Sequence, residues 1–458
     1  MKKGIIDNRP VFLLILLSAC LVSLQTLAQN NGAMLQYACN RAAVVMVRTE
    51  VLAEVNVQKI KINEKPFGHL LDSIQRLKAD SIFLTPEEKL DIVLNEFELR
   101  PSYYFINEFN YFRHREKVTA RGTGFIISGN GYVVTNCHVI DEDNAFINRQ
   151  FILSAFNYVS ETNINSIEQE WEVKFTEQQR MLLNRTFANV YSRIVPIELE
   201  KAEKKIFVTL TTDDENGNNI SHEFRAVVKT KGSPMPGKDI AILKIDVPYE
   251  LPTIPLSGSD KLLVGEELFV YGYPSPVSKN EYLSSETLFV PTLTKGIISG
   301  LKKTINGWPV IQMDAGINHG NSGGPVCNKT GDVIGICTFG SFDENARSLA
   351  PGFNFAIPLT VMREFLNDSI IPGKSRVSND FSMAMHLLQQ QNYEEALRTF
   401  EAVKMANPMY PELHSYIKTC KKNILEGHGT KNRATVYLLI IFIFSIISGG
   451  LAWYKIRK

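Results

Sequence analysis

"RGTGFIISGNGYVVTNCHVI", residues 121–140, sets two apolar runs on either side of a Gly-Asn-Gly turn. Alternation of apolar and polar residues around such a turn predicts strand, turn, strand. The second run ends in "TNCHV", so His138 stands at a strand end, where a rigid element can present an imidazole as a base. "KDIAILKID", 238–246, is a further short strand with Asp239 at its leading edge. "EELFVYGYP", "TKGIISGLKK", "WPVIQMD", "GPVCNKTGDVIGICTFG" and "FNFAIP" follow at close intervals. Many short strands joined by glycine turns predict a mainly β chain, built as sandwiches or barrels.

"HGNSGGP", 319–325, packs small residues around Ser322. A serine hydroxyl is a poor nucleophile at neutral pH. It needs a base within hydrogen-bond reach and a carboxylate that fixes the tautomer of that base. His138, Asp239 and Ser322 supply the three roles in the order His, Asp, Ser. Order alone is a weak signal, because the same geometry occurs with several chain orders.

"TNCHV", "DIAILK", "DAGINHGNSGGPVCNKTGDVIGICT" and "FNFAIP" together resemble the HtrA branch of the trypsin-like serine proteases. The likeness covers roughly 36–58, 118–140 and 226–365. It implies a chymotrypsin-like double β-barrel, with His138 as base, Asp239 as its orienting acid and Ser322 as nucleophile. It also implies an oxyanion hole from the backbone of Gly320, Asn321 and Ser322, and a substrate pocket from Gly316, Ile317, Asn318 and His319. No carboxylate stands at the expected pocket base, and Ile317 offers an apolar wall. Small or medium apolar side chains on the acyl side of the cut are therefore expected. No cofactor and no metal is implied. The competing reading is a catalytically silent or slow protease-fold scaffold or chaperone that recruits partners through a carboxyl-terminal helical segment.

The chain departs from the family pattern in several places. No PDZ module is evident after the barrels, and His319 stands where proline is common. Two inserts, about 56–117 and 141–230, interrupt a protease domain expected over 29–370. In the first, "FGHLLDSIQRLKA" places Phe67, Leu70, Leu71, Ile74 and Leu77 on one helical face. "TPEE" then predicts a capped helix start, with Thr85 as cap and Glu88 closing the box. "PSYYFINEFNYF", 101–112, is either a docking segment or core. The second insert predicts a polar helix around 167–190 and a hairpin beyond it. After Pro372 the pattern turns helical. "NYEEALRTFEAVKMANP" has tetratricopeptide-like spacing within 377–426, a possible protein-docking segment that must lean on the protease body or on a partner.

The two ends carry transport signals. Lys2, Lys3 and Arg9 precede the apolar run Val11–Leu24, and "TLAQN" follows, which predicts a signal peptide over 1–28. The competing reading is a lipoprotein signal at Cys20. "VYLLIIFIFSIISGGLAWY", 436–454, holds nineteen uncharged residues, about 28 Å of helix, and predicts one transmembrane helix with a basic cytoplasmic tail at 455–458. The expected location is the cell envelope, with an exported body. Composition adds exclusions. With 44% hydrophobic residues, 21% charged and a net charge of +1, the chain reads as globular and lacks the basic excess of a nucleic-acid binder. Of six cysteines, none is spaced for a disulfide framework or a zinc site.

Overall fold

The computed structural model describes residues 35–79, 84–141, 144–193, 197–275, 282–284, 288–343 and 348–427. The predicted signal peptide, membrane span and cytoplasmic tail lie outside the described residues. The chain divides into two compact units. The first holds residues up to Arg48, Arg121–Ile140 and Phe207 onward, and the second holds Thr49–Ala120 and Asp141–Ile206.

The strands are β1 (Val44–Ile62), β2 (Phe105–Ser128), β3 (Tyr132–Thr135), β4 (Ile197–Asp213), β5 (Asn219–Arg225), β6 (Val227–Lys231), β7 (Ala241–Lys244), β8 (Glu267–Gly272), β9 (Thr292–Lys303), β10 (Pro309–Met313), β11 (Pro325–Asn328), β12 (Val333–Asp343) and β13 (Ser348–Pro358). They form a seven-stranded sheet, in the order β5-β4-β1-β2-β3-β7-β6, and a closed barrel, β10-β13-β12-β11-β8-β9. β2 and β3 pair antiparallel, Phe125 opposite Val134 and Ile126 opposite Val133. The turn between them needs glycine, since Gly131 has φ +98° and a Cβ there would meet the Ile245 carbonyl at 2.3 Å. The barrel closes through β9 and β10, with Ile311 opposite Leu301. Its fully buried lining includes Leu268, Ile298, Ile311, Met313 and Val326.

Two expectations are corrected here. The chain is 39% helix and 33% strand, so it is not mainly β. Among the described residues there is one closed barrel and one open sheet, not two barrels. A sheet closes only when its edge strands meet at a consistent stagger, and here β5 and β6 remain edges. The long strands β1, β2 and β4 continue from one unit into the other, and the helices of the second unit and of the carboxyl-terminal region raise the helical share. Among the described residues no helix is long and apolar enough to cross a membrane; the span expected at 436–454 lies outside them.

Within the second unit, Thr85 accepts from the Glu88 N–H at 3.2 Å and the Glu88 carboxylate accepts from the Thr85 N–H at 2.7 Å. This reciprocal cap starts the helix Pro86–Leu99. The core gathers around Phe97, whose ring meets Phe67 at 5.8 Å and Phe105 at 5.0 Å. The aromatic stretch is split between core and surface: Tyr104 and Phe105 are buried, while Phe109 is 99% exposed. The polar helix expected around 167–190 is two helices, Asn144–Glu170 and Glu177–Arg193. Between them the buried Glu168 accepts from Lys174, Arg180 and the Phe175 N–H. An open groove of about 1100 Å³, lined by Phe67, Leu90 and Trp171 among others, lies in this unit.

The helices Arg376–Gln389, Tyr393–Ala406 and Leu413–Leu425 share one core, in which Phe381 meets Phe400 at 5.7 Å and Tyr410 at 4.5 Å. Ala38 and Ala42, just before β1, are buried in that same core. The helical segment therefore leans on residues near the amino end of the first unit.

Candidate active site

His138, Asp239 and Ser322 lie in the first unit. His138 sits on a one-turn helix, Cys137–Ile140, directly after β3, and the burial of Cys137, Val139 and Ile140 orients that turn. Asp239 is 0% exposed. Its Oδ2 lies 2.6 Å from His138 Nδ1, and its Oδ1 accepts the His138 N–H at 2.8 Å. Thr338 adds a third donor, Oγ1 to Asp239 Oδ2 at 3.0 Å. Three donors converging on a buried acid suit a carboxylate, which is acceptor-only. An imidazole that keeps its proton on Nδ1 and donates it in a hydrogen bond to that carboxylate leaves Nε2 free as the base. Asn136, fully buried, donates to the Asp239 carbonyl at 2.7 Å and fixes the backbone from which the acid projects.

The nucleophile rests against Thr338. Ser322 Oγ donates to the Thr338 carbonyl at 3.0 Å.

The glycines around Ser322 answer to close approach. A Cβ at Gly323 would lie 2.1 Å from the Thr123 carbonyl, and one at Gly324 2.1 Å from the Tyr271 carbonyl. At Gly320 φ is +99° and a Cβ would fall 2.2 Å from the Tyr273 carbonyl. Four consecutive peptides are held by their carbonyls. Ser275 N–H donates to His319 O at 2.6 Å and Gly324 N–H to Asn321 O at 2.9 Å. Thr123 Oγ1 donates to Gly320 O at 2.6 Å, and Thr123 N–H to Ser322 O at 2.8 Å. In a trans peptide the N–H points opposite the carbonyl. The anchored His319 and Asn321 carbonyls thus aim the N–H groups of Gly320 and Ser322 the other way. The Asn321 N–H is taken by Asn318 O at 3.0 Å and the Gly323 N–H by Cys337 O at 2.8 Å. The N–H groups of Gly320 and Ser322 are therefore the candidate donors for an oxyanion, and the Asn321 N–H, already engaged, is not available.

Of the expected pocket residues, Gly316, Asn318 and His319 are exposed, whereas Ile317 is buried in the barrel core. The Asp314 carboxylate accepts the Ile297 N–H at 2.7 Å on β9. Asn354, buried, donates to the Ala315 carbonyl at 2.7 Å and braces the pocket segment. Among the described residues no group of His, Cys, Asp and Glu is placed to hold a metal ion. Sequence reasoning missed Thr338, Asn136 and Thr123. The only trace of Thr338 is its place at the end of "VIGICT", one strand beyond the nucleophile.

Residues 122–336 match the trypsin-like peptidase domain family. The chain is 32% identical to human serine protease HTRA4 over 46% of its own length and 40% of that protein's. It is 31% identical to serine protease Do-like HtrA of Lactobacillus helveticus, over 40% and 44%. It is 38% identical to chloroplastic protease Do-like 1 of Arabidopsis thaliana, over 30% of each. The chain spans less than half the length of these relatives.

Proposed function

From the premise of an HtrA-like, trypsin-fold serine protease domain, we propose that the chain is an endopeptidase that cleaves unfolded or envelope polypeptides after small or medium apolar residues. The observation that carries this reading is the buried pair, Asp239 Oδ2 to His138 Nδ1 at 2.6 Å, beside an N–H pair aimed from Gly320 and Ser322. The mechanism has two halves. His138 Nε2 takes the Ser322 proton as Oγ attacks the scissile carbonyl, and the oxyanion settles between the two N–H groups. The imidazolium then gives that proton to the leaving amine, and water, activated by the same imidazole, releases the acyl group. Asp239 stabilises the imidazolium without taking its proton. Support for apolar specificity comes from Asp314, whose carboxylate is engaged on β9, and from Ile317 in the barrel core.

The experiment is fluorophosphonate labelling of the full chain, with peptide mapping, alongside hydrolysis of a denatured protein. Label on Ser322 with turnover supports the reading; neither one overturns it. A scaffold without turnover is the second reading, favoured by the Ser322 hydroxyl resting on the Thr338 carbonyl. Stable folding with no label at Ser322 would select it. Export is supported by the basic, apolar and small-residue order of the first 28 residues. A mature amino terminus at residue 29, found by amino-terminal sequencing, is the check; an intact Met1 counts against it.

A further inference from the structure

Thr123 is 0% exposed in β2 and is flanked by two glycines. A Cβ at Gly122 would lie 2.5 Å from a Val139 methyl, and one at Gly124 2.8 Å from a Val47 methyl. Only bare backbone on either side lets this strand come close enough for Thr123 to reach the nucleophile loop. Once there, all three of its polar groups are used. Its N–H donates to Ser322 O at 2.8 Å, and its carbonyl accepts from Thr135 Oγ1 at 2.7 Å. Its hydroxyl accepts the Tyr273 N–H at 3.0 Å and donates to Gly320 O at 2.6 Å. Since a hydroxyl has one proton, the Tyr273 contact fixes which way that proton points.

We propose that Thr123 is a positioning residue for the oxyanion site: its hydroxyl holds the Gly320 carbonyl and so fixes the Gly320–Asn321 peptide that joins the two donor residues, Gly320 and Ser322. The inference rests on the peptidase reading above. Of the four carbonyl anchors between residues 319 and 322, three are backbone N–H groups and one is a side chain, the Thr123 hydroxyl. The residue it holds is the one most able to turn. Glycine rotates over both signs of φ at little cost, so a Gly320 freed of its anchor can turn the peptide that joins the two donor residues and spoil their mutual alignment. Thr123 touches neither substrate nor nucleophile side chain. Its effect therefore falls on transition-state stabilisation and not on substrate binding.

The test is a graded series, Thr123→Ser, Thr123→Cys and Thr123→Val, assayed on a fluorogenic valine peptide and titrated with a peptide ending in valine boronic acid. Thr123→Val keeps the shape and removes the donor. It is expected to lower kcat about 10–100-fold, with KM within about threefold, and to weaken boronate binding in the same proportion, since a full oxyanion donor is worth about 10²–10³. Thr123→Ser should stay within about threefold of the parent. Should the valine variant not fold, Thr123→Cys, with its weaker S–H donor, is expected to fall below serine in kcat at unchanged KM. Serine as slow as valine, a change confined to KM, or full kcat without the hydroxyl overturns the inference alone. A parent chain that neither turns over nor takes fluorophosphonate at Ser322 overturns the peptidase reading and the inference together.

Discussion

Thr338 holds Ser322 by its carbonyl and Asp239 by its hydroxyl, each at 3.0 Å. One residue thus links the nucleophile to the acid without passing through the imidazole. Thr338→Val keeps the carbonyl and removes the hydroxyl. A hydrogen bond to a charged group contributes about 1.5–3 kcal/mol, so kcat/KM is expected to fall about 10–100-fold. Steady-state assay of the folded variant checks this; an unchanged kcat/KM would reduce Thr338 to packing.

The three catalytic side chains are expected to act as one unit. Ser322→Ala and His138→Ala should each abolish turnover, and the double variant should be no worse than either single one. Asp239→Asn should lower kcat by about 10⁴-fold by allowing the wrong imidazole tautomer. Additive losses in the double variant would contradict this.

Mass-spectrometric profiling of a denatured protein should show cuts after Val, Ala, Ile or Leu, with modest discrimination, since one methylene is worth about 1–3 kcal/mol. A majority of cuts after Lys or Arg would overturn the pocket reading and leave the nucleophile in place.

In the second unit, the Lys174 ammonium, the Phe175 N–H and the Arg180 guanidinium hold the Glu168 carboxyl down at about 2. A folded-state value below the unfolded one stabilises the fold above the ordinary carboxylate range, and that contribution is lost as pH falls toward the depressed value. The unit is therefore expected to loosen between about pH 4.5 and pH 2. Glu168→Gln should flatten the dependence of the melting temperature on pH across that window. An equally steep dependence in the variant would place the acid sensitivity elsewhere.

Burial pushes the Cys337 thiol up to about 12 and the Cys420 thiol up to about 11, and raises Cys327 as well. The thiolate is the reactive form. A colorimetric disulfide reagent at pH 8 should leave these three untouched until denaturant is added. Rapid native reaction of any of them would show that its surroundings open.

The proposed catalytic trio is legible in the sequence because the chemistry proposed for it demands particular residue types inside glycine-bounded motifs. Thr338, Thr123 and Asn136 are not, since hydroxyls and amides are common and their roles come from distant carbonyls and carboxylates. The break between the two insert helices was readable in "TEQQ". Thr176 accepts the Gln179 N–H at 3.3 Å, and Gln179 Oε1 accepts the Thr176 N–H at 3.0 Å, the same reciprocal cap that "TPEE" announces. A continuous polar pattern hid it. Barrel closure has no local signature at all. Whether two edge strands meet depends on how far β1, β2 and β4 run, and strand periodicity is blind to that.

Residues 35–42 reach their packing partners late. Their shared core requires the helices beginning at Arg376, so this early segment waits for residues more than three hundred positions later in the chain. At roughly 5–20 residues per second of synthesis, Ala38 and Ala42 stay uncovered on a growing chain for about 20–70 s. Within that interval the catalytic strands can form, while the segment leading into them stays accessible to any chaperone that binds short apolar stretches. An interrupted chain never covers it.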